Sequence, residues 1–406
     1  MNVEWMMFTE KLIQKAFEKV CYRRREYCCN NDIWELRFNW IRRKAEMLEE
    51  LDSGGYKFDA VKEIVIDGQM YEIWVASDAV VIEALTMLLK DKYRITADCD
   101  SYHLKGRGGV KAAVNKVLNG TQEYKYFYKS DIKKYYASIE HDVLLDMLRS
   151  RIPDREVIPL LYQFLKRTRY RDGYYKSTKR GICRGSSLSP IIGALYLEEL
   201  DICMKNTKCI LYVRYMDDWV FMCDNRWKFR RIIKKGFRIL DNLKLEIAYD
   251  KTLIGRTKNS FDFLGFNISS DGLRVSQKSV WKLAERIILK LSELTDDFNN
   301  FITQNKIGGL TYGQGCSGAN SKKGDLSIPD NISKYVQRWL IWVKSVHGKK
   351  NWCTCDRIWL NSTLLDPWTA TTGPAPPLLV PILFVCIAGS NADLDFTCES
   401  GIGNAS

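Results

Sequence analysis

The run YVRYMDDWVFM, Tyr212–Met222, sets two carboxylates side by side inside an otherwise apolar stretch. Tyr212-Val213-Arg214-Tyr215 before the pair and Trp219-Val220-Phe221-Met222 after it are strong strand formers. The spacing therefore predicts a hairpin with Asp217 and Asp218 at its tip. Asp is an ordinary turn residue, and acids at a solvated tip would need no partner. The apolar flanks argue for a more enclosed setting, where adjacent carboxylates repel and cost free energy to desolvate unless something neutralises them.

A second segment, Tyr126-Phe127-Tyr128-Lys129-Ser130-Asp131-Ile132, also reads as a strand ending in an acid. Two strands that each deliver a carboxylate can hold a pair of divalent cations about 3.5–4 Å apart, the arrangement used for in-line phosphoryl transfer. Carboxylates that face such ions no longer form a repelling pair.

The rest of the chain supplies a frame for these strands. Residues 1–50 read as helices, ended by Ser53-Gly54-Gly55. Val61 to Val75 reads as a hairpin about Asp67-Gly68, and Ser77 is placed to cap a helix running through Leu88. Lys105-Gly106-Arg107-Gly108-Gly109 is a basic, flexible loop before a helix from Val110 to Leu118. Further helices are expected over 143–148, 158–165, 191–200 and 275–345, and a strand over 261–268.

With 406 residues, 46% of them hydrophobic, the chain can bury a large core divided into two or three subdomains. Its net charge of +13 favours a polyanionic partner. The charge is clustered, in one run from Lys166 to Arg180 and a second from Arg226 to Arg238. In the second, Phe229, Ile232, Ile233, Phe237 and Leu240 recur at helical spacing, so a basic face opposes an apolar one. Each run reads as a solvated surface or as a phosphate contact. The thirteen cysteines are scattered, lack zinc-ligand spacing and are expected to be reduced and mostly buried. The apolar stretch Pro376 to Gly389 is too short to span a bilayer and contains Pro381, so a soluble, cytoplasmic protein without a membrane partner is expected.

Tyr215-Met216-Asp217-Asp218 resembles the YxDD motif of reverse transcriptases, and other motifs follow that family's order. Ser130 to Ile139 resembles its first palm motif, an acid followed five residues later by an aromatic. Gly181-Ile182-Cys183-Arg184-Gly185-Ser186-Ser187-Leu188-Ser189-Pro190 resembles the second. Leu245 to Lys251 and Phe263-Leu264-Gly265-Phe266 are similar to the segments before and at the primer grip. The resemblance spans roughly residues 55–275 and implies an α+β right hand: fingers, an antiparallel palm sheet flanked by helices, and a thumb. The domains expected from it are an N-terminal helical extension (1–50), fingers and palm (51–274), a helical thumb (275–345) and a tail of unassigned role (346–406).

By this resemblance Asp131 and Asp217 ligate two Mg²⁺ ions, with Mn²⁺ as an alternative, the Ile132 carbonyl assists and Asp218 is a weaker ligand. Tyr136 lies under the sugar of the incoming deoxynucleoside triphosphate and excludes a 2′-hydroxyl; the lesser alternative at this position is a core aromatic. Arg184 and Gly185 are expected at the nucleotide, Tyr215, Phe263, Leu264 and Gly265 at primer and template, and Lys251 as a general acid for pyrophosphate. Two departures stand out. Cys183-Arg184 replaces the family's usual Pro-Gln, and an arginine cannot copy an amide's paired donor and acceptor. Glu72 stands about where a basic residue commonly meets the triphosphate, which leaves Lys105 and Arg107 as substitutes.

Residues 346–406 are too few for an RNase H domain, and three histidines do not furnish a histidine-rich nuclease. The pattern is similar to the bacterial lineage of retrons, group II introns and defence-associated enzymes. That likeness implies a structured noncoding RNA template, a cDNA product and a role in antiphage defence. A maturase-like RNA-binding protein and a template-independent DNA polymerase stand as alternatives, and priming mode and oligomeric state are left open.

Overall fold

The computed structural model describes residues 7–66, 69–154, 156–208 and 210–287, with positions 289, 335, 338, 339 and 341. The chain divides into two compact units, Met1–Asn259 and Ser260–Ser406.

In the first unit, helices α1 (Glu10–Arg23), α2 (Asp32–Phe38) and α3 (Trp40–Asp52) precede a hairpin of β1 (Val61–Ile66) and β2 (Gln69–Ile73). The pairing Ile66↔Gln69 agrees with the expected turn, although Asp67-Gly68 itself lies outside the described residues. Next comes α4 (Ala76–Met87), which is capped differently from expectation. Ser77 lies inside its first turn, and the Ala76 N–H is instead met by the Asp32 carboxylate from α2. A cap supplied from 44 positions away has no local sequence signature.

Then follow α5 (Gly109–Glu123), β3 (Tyr126–Ser130), α6 (Tyr135–Ser138), α7 (His141–Arg149) and α8 (Val157–Leu165). After these, β4 (Thr168–Arg171) and β5 (Tyr174–Ser177) precede α9 (Ser189–Tyr196) and α10 (Glu198–Lys205). The helix expected over 191–200 is thus two helices that part at Leu197. The unit closes with β6 (Leu211–Tyr215), β7 (Asp218–Cys223), α11 (Arg226–Asn242) and β8 (Leu253–Arg256).

Two four-stranded sheets organise this unit. One runs β2-β1-β4-β5, with β1 and β4 parallel. The other runs β6-β7-β3-β8 and is antiparallel throughout, as a palm sheet should be. The basic run 166–180, read above only as charge, is mostly the β4–β5 hairpin. The first three helices belong to the main core, where Ile13, Val20 and Leu51 join Val80, Ala84 and Leu85 of α4.

In the second unit, the strand expected over 261–268 is two, β9 (Phe261–Phe263) and β10 (Phe266–Ser269), which with β11 (Gly272–Val275) form a meander. A helix follows over 277–287. The remainder of the expected thumb, apart from isolated positions, and the tail 346–406 lie outside the described residues. Of the cysteines described, Cys99, Cys183, Cys203 and Cys223 are buried, Cys21 is half-buried, and Cys28 and Cys29 are exposed; all are free thiols.

Candidate active site

Strand register assembles the site. β3 and β7 pair with Ser130 opposite Trp219, so one further step sets Asp131 against Asp218. β3 and β8 pair with Lys129 opposite Leu253, and the same continuation brings Lys251 to Asp131. The Lys251 ammonium indeed contacts the Asp131 carboxylate. Asp217 occupies the two-residue turn between β6 and β7, where Tyr215 pairs with Asp218.

Asp131 is buried, and Asp217 and Asp218 are half-buried. Burial, and next the charge of Asp131, push the Asp217 carboxyl up to about 7. Burial also raises Asp218, against the opposing charges of Lys129 and Lys251. Neighbouring carboxylates held out of bulk water form a donor set for which a divalent cation is the natural relief. The Ile132 carbonyl, beside Asp131, accepts no hydrogen bond among the described residues. Still, no three His, Cys, Asp or Glu side chains among the described residues converge as ligands of one ion. The fit to a cation rests on the Asp131–Asp217 pair, with Lys251 as its present counter-ion.

Lys251, expected as a general acid, is thus ion-paired with Asp131, and that hydrogen bond raises its pKa.

The turn is held from both sides. Met216 has φ +57°, the left-handed first position that a two-residue hairpin turn demands and that a side chain resists. Its carbonyl accepts a 2.8 Å hydrogen bond from Arg214 Nη1, and its N–H donates to His103 Nδ1 at 3.2 Å. Since Nδ1 is an acceptor there, Nε2 carries the proton and donates to the Pro190 carbonyl at 3.1 Å. Burial lowers the His103 pKa and favours this neutral form. Arg214 is wholly buried, where it is paired with the equally buried Asp201, which also accepts from Tyr212 Oη at 2.7 Å. Neither His103 nor Asp201 was expected as a site residue; Asp201 lies just beyond the helix expected over 191–200, in α10.

Tyr136 lies beside the acids. Burial and then the Asp217 charge push its hydroxyl up to about 12, against the Arg184 charge, so Tyr136, Asp217 and Arg184 are neighbours. Gly193 of α9 makes room for the ring, since a Cβ there would stand 3.1 Å from Tyr136 Cε1. The loop 181–188 is fastened to the same segment: Gly181 N–H donates to Ile139 and Ile182 N–H to the Tyr136 carbonyl, both at 2.8 Å. Cys183 is buried, with Trp74 Nε1 donating to its Sγ at 3.2 Å. Exposed Arg184 and Gly185 line a cavity of about 240 Å³ with Tyr71, Trp74 and Ser186.

Other expected residues stand elsewhere. Glu72 makes a two-pronged ion pair with buried Arg167, at 2.6 and 2.8 Å, and is thereby occupied structurally. Lys105 and Arg107 line a larger groove of about 1090 Å³ beside α1, to which none of the three acids contributes. Tyr215 ends β6, its ring edge-on to His103 at 6.0 Å. Phe263, Leu264 and Gly265 belong to the second unit, where Leu264 at φ +49° and Gly265 at φ +87° form the β9–β10 turn.

Residues 79–268 match the family model described as reverse transcriptase (RNA-dependent DNA polymerase). This part of the chain is a reverse transcriptase domain. The group II intron-encoded protein LtrA of Lactococcus lactis subsp. cremoris is 22% identical over 298 residues, covering 57% of this chain and 50% of its own. Protein YkfC of Escherichia coli is 22% identical over 264 residues, covering 54% and 69%. The chain thus spans about half the length of the intron-encoded protein that it matches. A solved apo telomerase from Candida tropicalis, truncated from its C-terminal domain, covers 49% of this chain and 45% of its own at TM-score 0.37 and 14% identity, a likeness too low to carry weight. No helix among the described residues is long and apolar enough to cross a membrane.

Proposed function

We propose that the chain is an RNA-directed DNA polymerase that copies a structured noncoding RNA into cDNA from deoxynucleoside triphosphates. The observation that carries this is the convergence, within a reverse transcriptase domain, of Asp131, Asp217 and Asp218 at the ends of neighbouring palm strands, beside Tyr136 and Arg184. Asp131 and Asp217 would hold divalent metal, Mg²⁺ or Mn²⁺, with Asp218 and the Ile132 carbonyl beside them. Such ions supply activation of the attacking hydroxyl and charge stabilisation at phosphorus.

The chain's own residues do the rest. Arg184 presents a cation for a triphosphate, with more donors than an amide has and the charge that an amide lacks. The Tyr136 ring, backed by α9 at Gly193, is a rigid wall on which the sugar rests, and a 2′-hydroxyl would collide with it. His103 and Arg214 hold the turn that carries Asp217. Lys251 neutralises Asp131 while the site awaits substrate. A template encoded beside the gene, with the cDNA serving antiphage defence, is the finer reading suggested by the lineage.

Nucleic acid copurifying with the protein from cells carrying its native locus decides the matter, compared with an Asp217→Ala, Asp218→Ala double variant that still folds. DNA complementary to one RNA, present only with intact acids, is expected. DNA matching no template would replace templated with untemplated synthesis. RNA alone in both samples would leave an RNA-binding protein.

A further inference from the structure

From Arg226 to Arg238, α11 carries seven Lys or Arg and no acid, and all seven cations are exposed. None forms an ion pair among the described residues. Arg226 and Arg230, Arg230 and Lys234, Arg231 and Lys235, and Lys234 and Arg238 are four apart, so like charges face each other along the helix. Each such pair is destabilising. A helix face that only needs solubility mixes signs; one that accumulates a single sign is relieved by a polyanion.

Among these cations stands Trp227, 75% exposed, with the Arg230 guanidinium 5.7 Å from its ring centroid. An indole left in water among cations offers what a base requires, a flat apolar surface bordered by phosphate ligands.

The position of the face separates it from the catalytic residues. α11 packs Phe229, Ile232 and Gly236 inward, and a Cβ on Gly236 would lie 3.4 Å from the Trp219 ring. Phe229 also meets Phe221 and Tyr126. Side chains alternate along β7, so Trp219 and Phe221 share one face and Asp218 takes the other. α11 therefore covers the back of the catalytic sheet, and its cations point outward on the side away from Asp218.

We propose that the outer face of α11 is a second RNA-binding surface, where a single-stranded segment stacks a base on Trp227 and sets its phosphates on Arg230, Arg231, Lys234, Lys235 and Arg238. This rests on the reading of the chain as acting on RNA. It adds that the RNA is anchored behind the palm as well as held at the acids, so that the template's remote part is tethered while its copied part advances.

The test uses the full chain, a labelled unstructured oligouridylate and a short template–primer. Binding of the oligouridylate is followed by anisotropy across a potassium chloride series, and extension of the template–primer is timed separately. Trp227→Ala should weaken oligouridylate binding about tenfold with little change in salt slope, while Trp227→Phe keeps most of it. Lys234→Gln, Lys235→Gln and Arg238→Gln together should lower the slope of log K against log salt by about 2. Both sets should extend the template–primer at the rate of the unsubstituted chain. Unchanged oligouridylate binding in both sets overturns the proposal. So does equal weakening of oligouridylate binding and template–primer extension, which would make the face part of the catalytic cleft. Loss confined to anionic lipid vesicles would make it a membrane surface instead. If the unsubstituted chain binds RNA through this face but extends nothing, the polymerase reading fails and the surface stands.

Discussion

At the residue level the site separates into groups that motifs reveal and groups that only packing reveals. Asp131, Asp217 and Asp218 were legible because acids inside apolar strands contradict their surroundings unless they have a task. His103 was not, because its meaning lies in a hydrogen bond to residue 216, 113 positions away. Its Nδ1 accepts the N–H of a residue at φ +57°, so the ring stabilises a backbone that a methionine disfavours. His103→Ala should lower kcat for nucleotide addition by about 10- to 100-fold while the KM for nucleotide changes little, since only the aim of Asp217 is lost. His103→Asn, which can present an acceptor near the Nδ1 position, should recover more of the rate than His103→Gln, whose amide better replaces the Nε2 donor. Single-turnover kinetics on all three decides it. Equal rates for the Asn and Gln variants, or a rise in KM without loss of kcat, would leave the histidine with packing alone.

At the level of elements, amphipathic strands and helices were legible and polar ones were not. The β6–β7 hairpin announces itself by its run of apolar strand formers, and α11 by its period. The β4–β5 hairpin does not, because every residue of β5 is exposed and its sequence reads as charge. Glycine spacing was equally mute about which glycines matter. Gly173 and Gly181 share a φ of +86°, yet a Cβ on Gly173 would meet nothing within 4 Å, whereas one on Gly181 would lie 2.9 Å from Ala137 Cα and from the Tyr136 carbonyl oxygen. Gly173→Ala should cost about 1 kcal/mol, the left-handed backbone term alone. Gly181→Ala should cost about 3 kcal/mol or more, because the clash is with backbone that cannot swing aside, and it should also move the segment carrying Tyr136. Urea unfolding of the two variants gives the comparison. Equal costs would mean that the loop 181–188 is not seated on the Tyr136 segment as described.

For the molecule as a whole, residues 1–50 were expected as an N-terminal helical extension, and within the first unit they pack into the shared core. Ile13, Val20, Ile33 and Leu51 are buried in the same core as α4, and each such side chain contributes roughly 1.5–3 kcal/mol of burial. Polar ties reinforce the packing. Lys19 and Arg23 meet buried Glu83 at 3.1 and 2.7 Å, Arg24 donates to the Trp74 carbonyl at 2.8 Å, and Asp32 caps α4. Removing α1 to α3 would leave Glu83 as an unpaired buried carboxylate, open the apolar side of α4 and uncap its N-terminus. Each of these defects is destabilising by itself, and a domain's whole margin is only about 5–15 kcal/mol. A chain beginning at Ser53 should therefore lose its cooperative thermal transition or melt at least about 10 °C lower, as circular dichroism would record. The same chain with Glu83→Gln should regain part of that loss, because the stranded charge is gone while the exposed apolar face is not. A truncated chain that melts as the full one does would return residues 1–50 to the status of an appendage, one that can be gained or lost without disturbing the core on which the palm sheet rests.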